Sequence, residues 1–231
     1  MKFPVFCLAF LFSSPCLGSP LSSNKYPFIA RLFVPIPGTS SGNLCTGTLL
    51  KNNLILTAKQ CFVNNGVLYP HGTATFNDYS RNIRDKNEFT VNMKLVKSYH
   101  GSGLVLAKLN QGVNGIIPAN ISEKNVNHGT SVRTVGYGMQ GYKKDHGHLR
   151  DIDLEVSYVR GNWIGTKVGK NMEGPCAGDG GAPLLVEESG YWSVVATLQG
   201  GGYDCRTNTI NPRQPDDTWS SVRVIKSGNL Q

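Results

Sequence analysis

Gly174-Pro175-Cys176-Ala177-Gly178-Asp179-Gly180-Gly181-Ala182-Pro183-Leu184 is a glycine-rich turn that runs into the apolar stretch Leu184-Leu185-Val186. Glycines at 178, 180 and 181 suit a backbone that folds back sharply or presents its N–H groups to a neighbour. Beyond them, Glu187-Glu188-Ser189-Gly190 separates Leu184–Val186 from Tyr191–Leu198, which reads as a hairpin with glycine at its turn. Outward from this point the same pattern recurs: short β-branched and apolar runs divided by glycine turns. Phe89, Val91, Met93 and Leu95 alternate with Thr90, Asn92 and Lys94, the period of two expected of a strand with one buried face. Long helical periods are absent, so the chain reads as all-β, a sandwich or a barrel. A polar, turn-rich stretch from Gln111 to Asn127 divides it into halves of about 100 residues each.

At the start, Met1-Lys2, an apolar run from Val5 to Phe12 and Cys16-Leu17-Gly18 form the three parts of a secretory signal peptide, with cleavage expected after Gly18. The run is too short to cross a bilayer of about 30 Å. A secreted, extracellular protein without a transmembrane segment is expected, with residues 19–231 as its mature part. Cleavage would remove Cys7 and Cys16 and leave Cys45, Cys61, Cys176 and Cys205, an even count suited to two disulfides in an oxidising compartment. Three pairings of four cysteines are open at this point. The formal charge of +8 falls in short clusters such as Arg81-Arg84-Lys86, Lys143-Lys144 and Lys167-Lys170. That scatter suits a solvated surface better than a polyanion site, and export makes nucleic acid a poor partner.

Two more segments carry a resemblance. Cys45-Thr46-Gly47-Thr48-Leu49-Leu50, followed by Ile55-Leu56-Thr57-Ala58-Lys59-Gln60-Cys61, resembles the trypsin-like protease stretch in which C-G-G-S-L leads to L-T-A-A-H-C. Gly103-Leu104-Val105-Leu106-Ala107-Lys108-Leu109 is similar to that family's D-I-A-L-L-K-L, and the turn quoted first resembles its C-x-G-D-S-G-G-P-L. Val194 to Gly200 and Trp219-Ser220-Ser221-Val222 resemble its cleft strand and last strand. The resemblance implies two antiparallel six-stranded β-barrels with a cleft between them, an N-terminal one over about 26–115 and a C-terminal one over 128–231. It also implies disulfides Cys45–Cys61 and Cys176–Cys205. Only Arg223 to Gln231 remain for the family's closing helix, which is expected to be short or absent.

In that family a serine attacks the carbonyl, a histidine takes its proton and a buried aspartate holds the imidazole. Here Gln60, Gly103 and Gly180 stand in those three places. Gly180 offers no nucleophile, the neutral amide of Gln60 does not titrate as a general base, and Gly103 orients nothing. No catalytic residue is therefore expected. Gly178, Asp179 and Gly180 form a vestigial oxyanion loop, which either keeps an anion-binding nest of amides or stands without a ligand, the latter favoured. No R-I-V-G-G activation sequence precedes Tyr26, so Asp179 lacks the new N-terminal ammonium that pairs with its counterpart. It then has either a cationic partner elsewhere or, the favoured reading, bonds to local turn amides. His146 and His148 read as an exposed loop before a metal pair. No metal or cofactor is implied. Asn120-Ile121-Ser122 is a glycosylation sequon.

Function is expected to lie in non-catalytic binding or regulation of an unidentified extracellular protein. A matrix component that binds acidic polysaccharide is the alternative, and a hydrolase with a displaced catalytic group is the least favoured.

Overall fold

The computed structural model describes residues 25–77, 88–139, 148–167, 174–201, 203–204, 209–210 and 216–225. Among these residues, twelve strands of five residues or more carry the chain, six on each side of the seam. In the first half they are β1 (Ile29–Pro35), β2 (Gly42–Lys51), β3 (Leu54–Ala58), β4 (His71–Phe76), β5 (Phe89–Ser98) and β6 (Leu104–Leu109). In the second they are β7 (Ser131–Gly136), β8 (Arg150–Arg160), β9 (Trp163–Lys167), β10 (Pro183–Glu188), β11 (Tyr191–Gly200) and β12 (Asp217–Ser221).

The first six close into a barrel in the order β1-β2-β3-β6-β5-β4, and β4 pairs back with β1. The second six repeat that order as β7-β8-β9-β12-β11-β10, closed by the β10–β11 hairpin and the β7–β10 pairing. Every one of these pairings is antiparallel. Two barrels with the expected six antiparallel strands each are thus in place.

The alternation read in β5 holds: Val91 and Met93 are buried, while Thr90, Asn92 and Lys94 are exposed. In the β10–β11 hairpin Glu187 and Glu188 belong to the strand, and the turn is Ser189-Gly190 with both φ angles positive (52° and 82°). That left-handed pair matches the twist of the strands it joins. The seam is less loose than its composition suggests. Val113, Ile116 and Ala119 are buried, the amides of Val113 and Ala119 bond Asn52 and Leu49 of the first barrel, and Asn120–Ile121 pairs in parallel with β11. Helix is confined, among the described residues, to two 3₁₀ turns, Lys59–Phe62 and Val222–Ile225. The rest of the expected closing helix lies outside them. No helix among the described residues is long and apolar enough to cross a membrane.

Two apolar clusters fill the molecule. One, built on Val132, Leu154, Val156, Leu184, Val195 and Trp219, fills the second barrel and takes in Val126 of the seam. The other fills the first barrel and runs on into Val135, Tyr137, Leu149, Leu185, Val194, Val222 and Ile225 of the second half.

Candidate functional site

Gln60 rides on the 3₁₀ turn that follows β3. Its neighbour Cys61 is bonded to Cys45 of β2, the pairing the resemblance implied. Asn43 holds the turn from below, its side-chain amide donating to the carbonyls of Cys61 (3.1 Å) and Val63 (3.2 Å). Gln60 itself is exposed. Cys176 is also disulfide-bonded, and its expected partner Cys205 lies outside the described residues.

Gly180 comes from the opposite barrel to meet this turn. A Cβ placed on it would lie 2.9 Å from Gln60 Nε2 and 3.5 Å from Cys45 Sγ, so the two positions face one another across the seam. The loop carrying Gly180 is clamped from the first barrel by Thr46. The Thr46 amide donates to the carbonyl of Gly180 (2.9 Å), and its hydroxyl donates to the carbonyl of Gly178 (3.0 Å) while accepting from the amide of Tyr137 (3.0 Å). Gly181, at φ +84°, packs so closely on Thr57 and the Thr46 carbonyl that only glycine fits there. The amides of Gly178 and Gly180 donate to no acceptor among the described residues, so the loop presents two N–H groups beside a position with no side chain.

Gly103 stands just before β6 with its carbonyl accepting from the amide of Lys59 (2.7 Å). The backbone is left-handed here, φ +70°, and a Cβ would collide with Oε1 of Gln199. Gln199, near the end of β11, also donates its Nε2 to the Thr197 carbonyl at 3.3 Å. An amide oxygen from the second barrel thus fills the space that a side chain at 103 would need.

Asp179 is 3% exposed, so its charge needs a partner. It has both kinds that the sequence left open. Oδ1 accepts from the amide of Gly138 (2.7 Å), Oδ2 from the amide of Cys176 (2.9 Å), and Oδ2 also from Arg150 Nη2 at 2.6 Å. The same Arg150 nitrogen donates to the carbonyl of Gly174 (3.2 Å), so the guanidinium ties both ends of the loop to β8. The expectation that local amides would suffice is corrected: a charge buried this deeply is met by an opposite charge as well as by amides.

Arg150, Gln199 and Thr46 are the site residues that sequence reasoning missed. Each acts on a partner remote in the chain, and no local pattern marks it. Of the other candidates, Asn120 is exposed, while Ser122 of the same sequon is buried and donates to Glu188 Oε1 (2.8 Å). His146 lies outside the described residues. Among those described, no three His, Cys, Asp or Glu side chains are grouped to hold a metal. A groove of about 1020 Å³ on the second barrel, lined by Val132, Arg133, Leu154, Val186 and Trp192 among others, does not reach Gln60, Gly103 or Gly180.

A family model described as Trypsin matches residues 17–213. The chain is 25% identical over 217 residues to the venom plasminogen activator GPV-PA of Trimeresurus albolabris, covering 86% of this chain and 79% of that one. It is also 25% identical over 237 residues to the protein C activator of Agkistrodon piscivorus leucostoma, covering 92% and 87%. A similar match, 25% over 217 residues, joins it to snake venom serine protease 5 of Trimeresurus stejnegeri, with 86% and 79% covered.

Proposed function

The chain belongs to the trypsin family, and from that premise we propose that it is a secreted member without protease activity, acting as a non-catalytic binding or regulatory protein. One observation carries this proposal: where the family's nucleophile would meet its base, a bare glycine α-carbon at 180 faces the neutral amide of Gln60. Neither group attacks a carbonyl or accepts a proton at neutral pH. At the third position the space for a carboxylate is taken by Gln199. Loss of such a triad costs on the order of 10⁶ in turnover in an enzyme of unrelated fold that uses the same mechanism, leaving roughly 10³ to 10⁴ over water.

The loop around Asp179 supports a retained binding surface. In relatives that need cleavage, a new N-terminus supplies the cation for this carboxylate; here Arg150 supplies it within the folded chain. The turn, with the Gly178 and Gly180 amides that donate to no acceptor among the described residues, is then set without proteolytic activation. A turn held this firmly suits recognition by a fixed surface better than a remnant drifting after loss of chemistry.

Mature protein incubated with a broad peptide library and with a fluorophosphonate probe is expected to give neither turnover nor labelling. Stoichiometric labelling at any residue would overturn the proposal.

A further inference from the structure

Net charge is divided unevenly between the barrels. Residues 25–122 hold ten Lys and Arg against three acids, Asp78, Asp85 and Glu88, whereas residues 123–231 hold twelve against twelve. The whole positive excess of the mature chain therefore sits on the first half. Of the three acids, only Glu88 falls among the described residues, ahead of β5 and six residues from Lys94, or roughly 20 Å along an extended chain.

Register gathers part of that excess into a line. His71 of β4 pairs with Lys94 of β5, Lys94 pairs with Lys108 of β6, Lys108 pairs with Leu54 of β3, and Leu54 pairs with Lys51 of β2. Directly paired residues put their side chains on the same face. His71, Lys94, Lys108 and Lys51 are all exposed, so one row of basic groups crosses five strands on the outer wall of the barrel. Adjacent strands lie about 4.8 Å apart, which spaces neighbouring groups closely. Asn92, two residues before Lys94 on β5, and Asn110, just past the end of β6, are exposed, and the Asn110 amide donates to the Asn92 carbonyl (2.9 Å). A neutral amide row thus flanks the basic one.

Like charges directly opposite one another weaken a sheet. The second barrel avoids this arrangement: its cross-strand charges are matched, Arg133 with Asp153 (2.6 Å) and Lys167 with Glu155 (3.0 Å). On the first barrel Lys94 and Lys108 oppose each other, and the ion pairs among the described residues include neither. An unfavourable pairing on one barrel, set beside matched pairs on the other, indicates a face kept for an anionic partner.

We propose that the row His71, Lys94, Lys108 and Lys51 binds an acidic polysaccharide laid across the strands. A linear polyanion matches lysines in single file on a convex wall, with the His71 imidazole as a hydrogen-bonding group at the end of the row, and the flanking asparagine amides hydrogen-bond sugar hydroxyls. Neutral amides add little at a lipid surface, where apolar insertion supplies much of the affinity. The row lies apart from the Gln60–Gly180 site: Lys108 on β6 is five residues beyond Gly103, roughly 16 Å along extended chain. The proposal therefore stands or falls independently of catalytic inactivity.

Heparin is the probe, with the full mature chain and a salt series. Retention through about 0.15 M salt is expected, since attraction at closely spaced contacts outlasts long-range screening. Lys94→Gln with Lys108→Gln should weaken heparin binding about tenfold and flatten its salt dependence, two close charge contacts being lost. Lys124→Gln with Lys167→Gln removes the same charge from the second barrel and should leave binding within about twofold. Equal loss from both pairs, or elution well below 0.15 M, would overturn the proposal. Tighter binding to phosphatidylserine vesicles or duplex DNA than to heparin would overturn it too. Circular dichroism of both variants separates lost binding from lost fold.

Discussion

Arg150 and Asp179 form a buried ion pair, Nη2 to Oδ2 at 2.6 Å, with side chains 11% and 5% exposed. The pair joins β8 to the glycine turn, and Asp179 completes it with two backbone amides. A carboxylate satisfied in this way holds its loop in place, whereas one stripped of its cation becomes an uncompensated buried charge.

Arg150→Met is accordingly expected to destabilise the protein by about 3–5 kcal/mol. Arg150→Lys should recover part of this, because an ammonium can reach the carboxylate but lacks the planar fork of the guanidinium. Urea denaturation of the three proteins measures it, and a loss under about 1 kcal/mol for the methionine variant would remove Arg150 as the strut of the loop.

Reinstating the family's catalytic groups should fail at one position in particular. Gly180→Ser has room, the nearest atom being the end of the flexible Gln60 side chain, and is expected within about 1 kcal/mol of the parent. Gly103→Asp places a side chain at φ +70°, at a cost of about 1–2 kcal/mol, and runs into Gln199 as well. The triple variant Gln60→His, Gly103→Asp, Gly180→Ser should stay unlabelled by fluorophosphonate until Gln199→Ser is added. Labelling of the triple variant at the full rate of the quadruple one would show that Gln199 is no obstacle.

Thr46→Val keeps the shape of the side chain and removes one hydroxyl. It leaves the Gly178 carbonyl and the Tyr137 amide without their partner. An expected loss of roughly 1–3 kcal/mol follows from one unsatisfied buried amide and one half-buried carbonyl. Thr48→Val, at a buried position on the same strand outside this clamp, is the comparison. Equal losses from the two would mean that the clamp contributes nothing of its own.

An alkaline limb of stability is expected from Tyr26. Its hydroxyl donates to Asp151 (3.1 Å) and accepts from Arg133 Nη1 (3.1 Å), and burial raises the phenol above its ordinary 10.0. The folded state therefore holds this proton more tightly than the unfolded chain. Its contribution is whole below pH 10.0 and is lost as pH climbs through the folded phenol's higher value. Tyr26→Phe should flatten the decline above pH 10.0. A melting temperature that falls just as steeply in the phenylalanine variant would rule Tyr26 out as its source.

Much of this architecture is written locally. The alternation of β5 and the glycines of the Gly178–Gly181 turn are properties of neighbouring residues, legible before any folding. Gln60 and Gly180 could be paired in advance only through resemblance, since nothing in either segment names the other. Arg150 and Gln199 were beyond reach for a physical reason. Arg150 lies 29 residues from Asp179, and its partner is chosen by how β8 packs on the glycine turn. Gln199 matters only because β11 delivers it against a backbone left bare at Gly103. The basic row was hidden similarly: its four members are scattered along the chain and become neighbours through strand register.

The cluster that runs from the first barrel into Val135, Leu185 and Val194 bears on how the molecule comes apart. Paired domains joined by polar surfaces can melt one after the other. Here, cutting the chain at the seam would bare the outward apolar faces of β7, β10 and β11 and unroof the first barrel. The two halves repeat one connectivity but are not separable in thermodynamics. Heating should yield a single cooperative transition, and neither half, expressed alone, should inherit the stability of the whole.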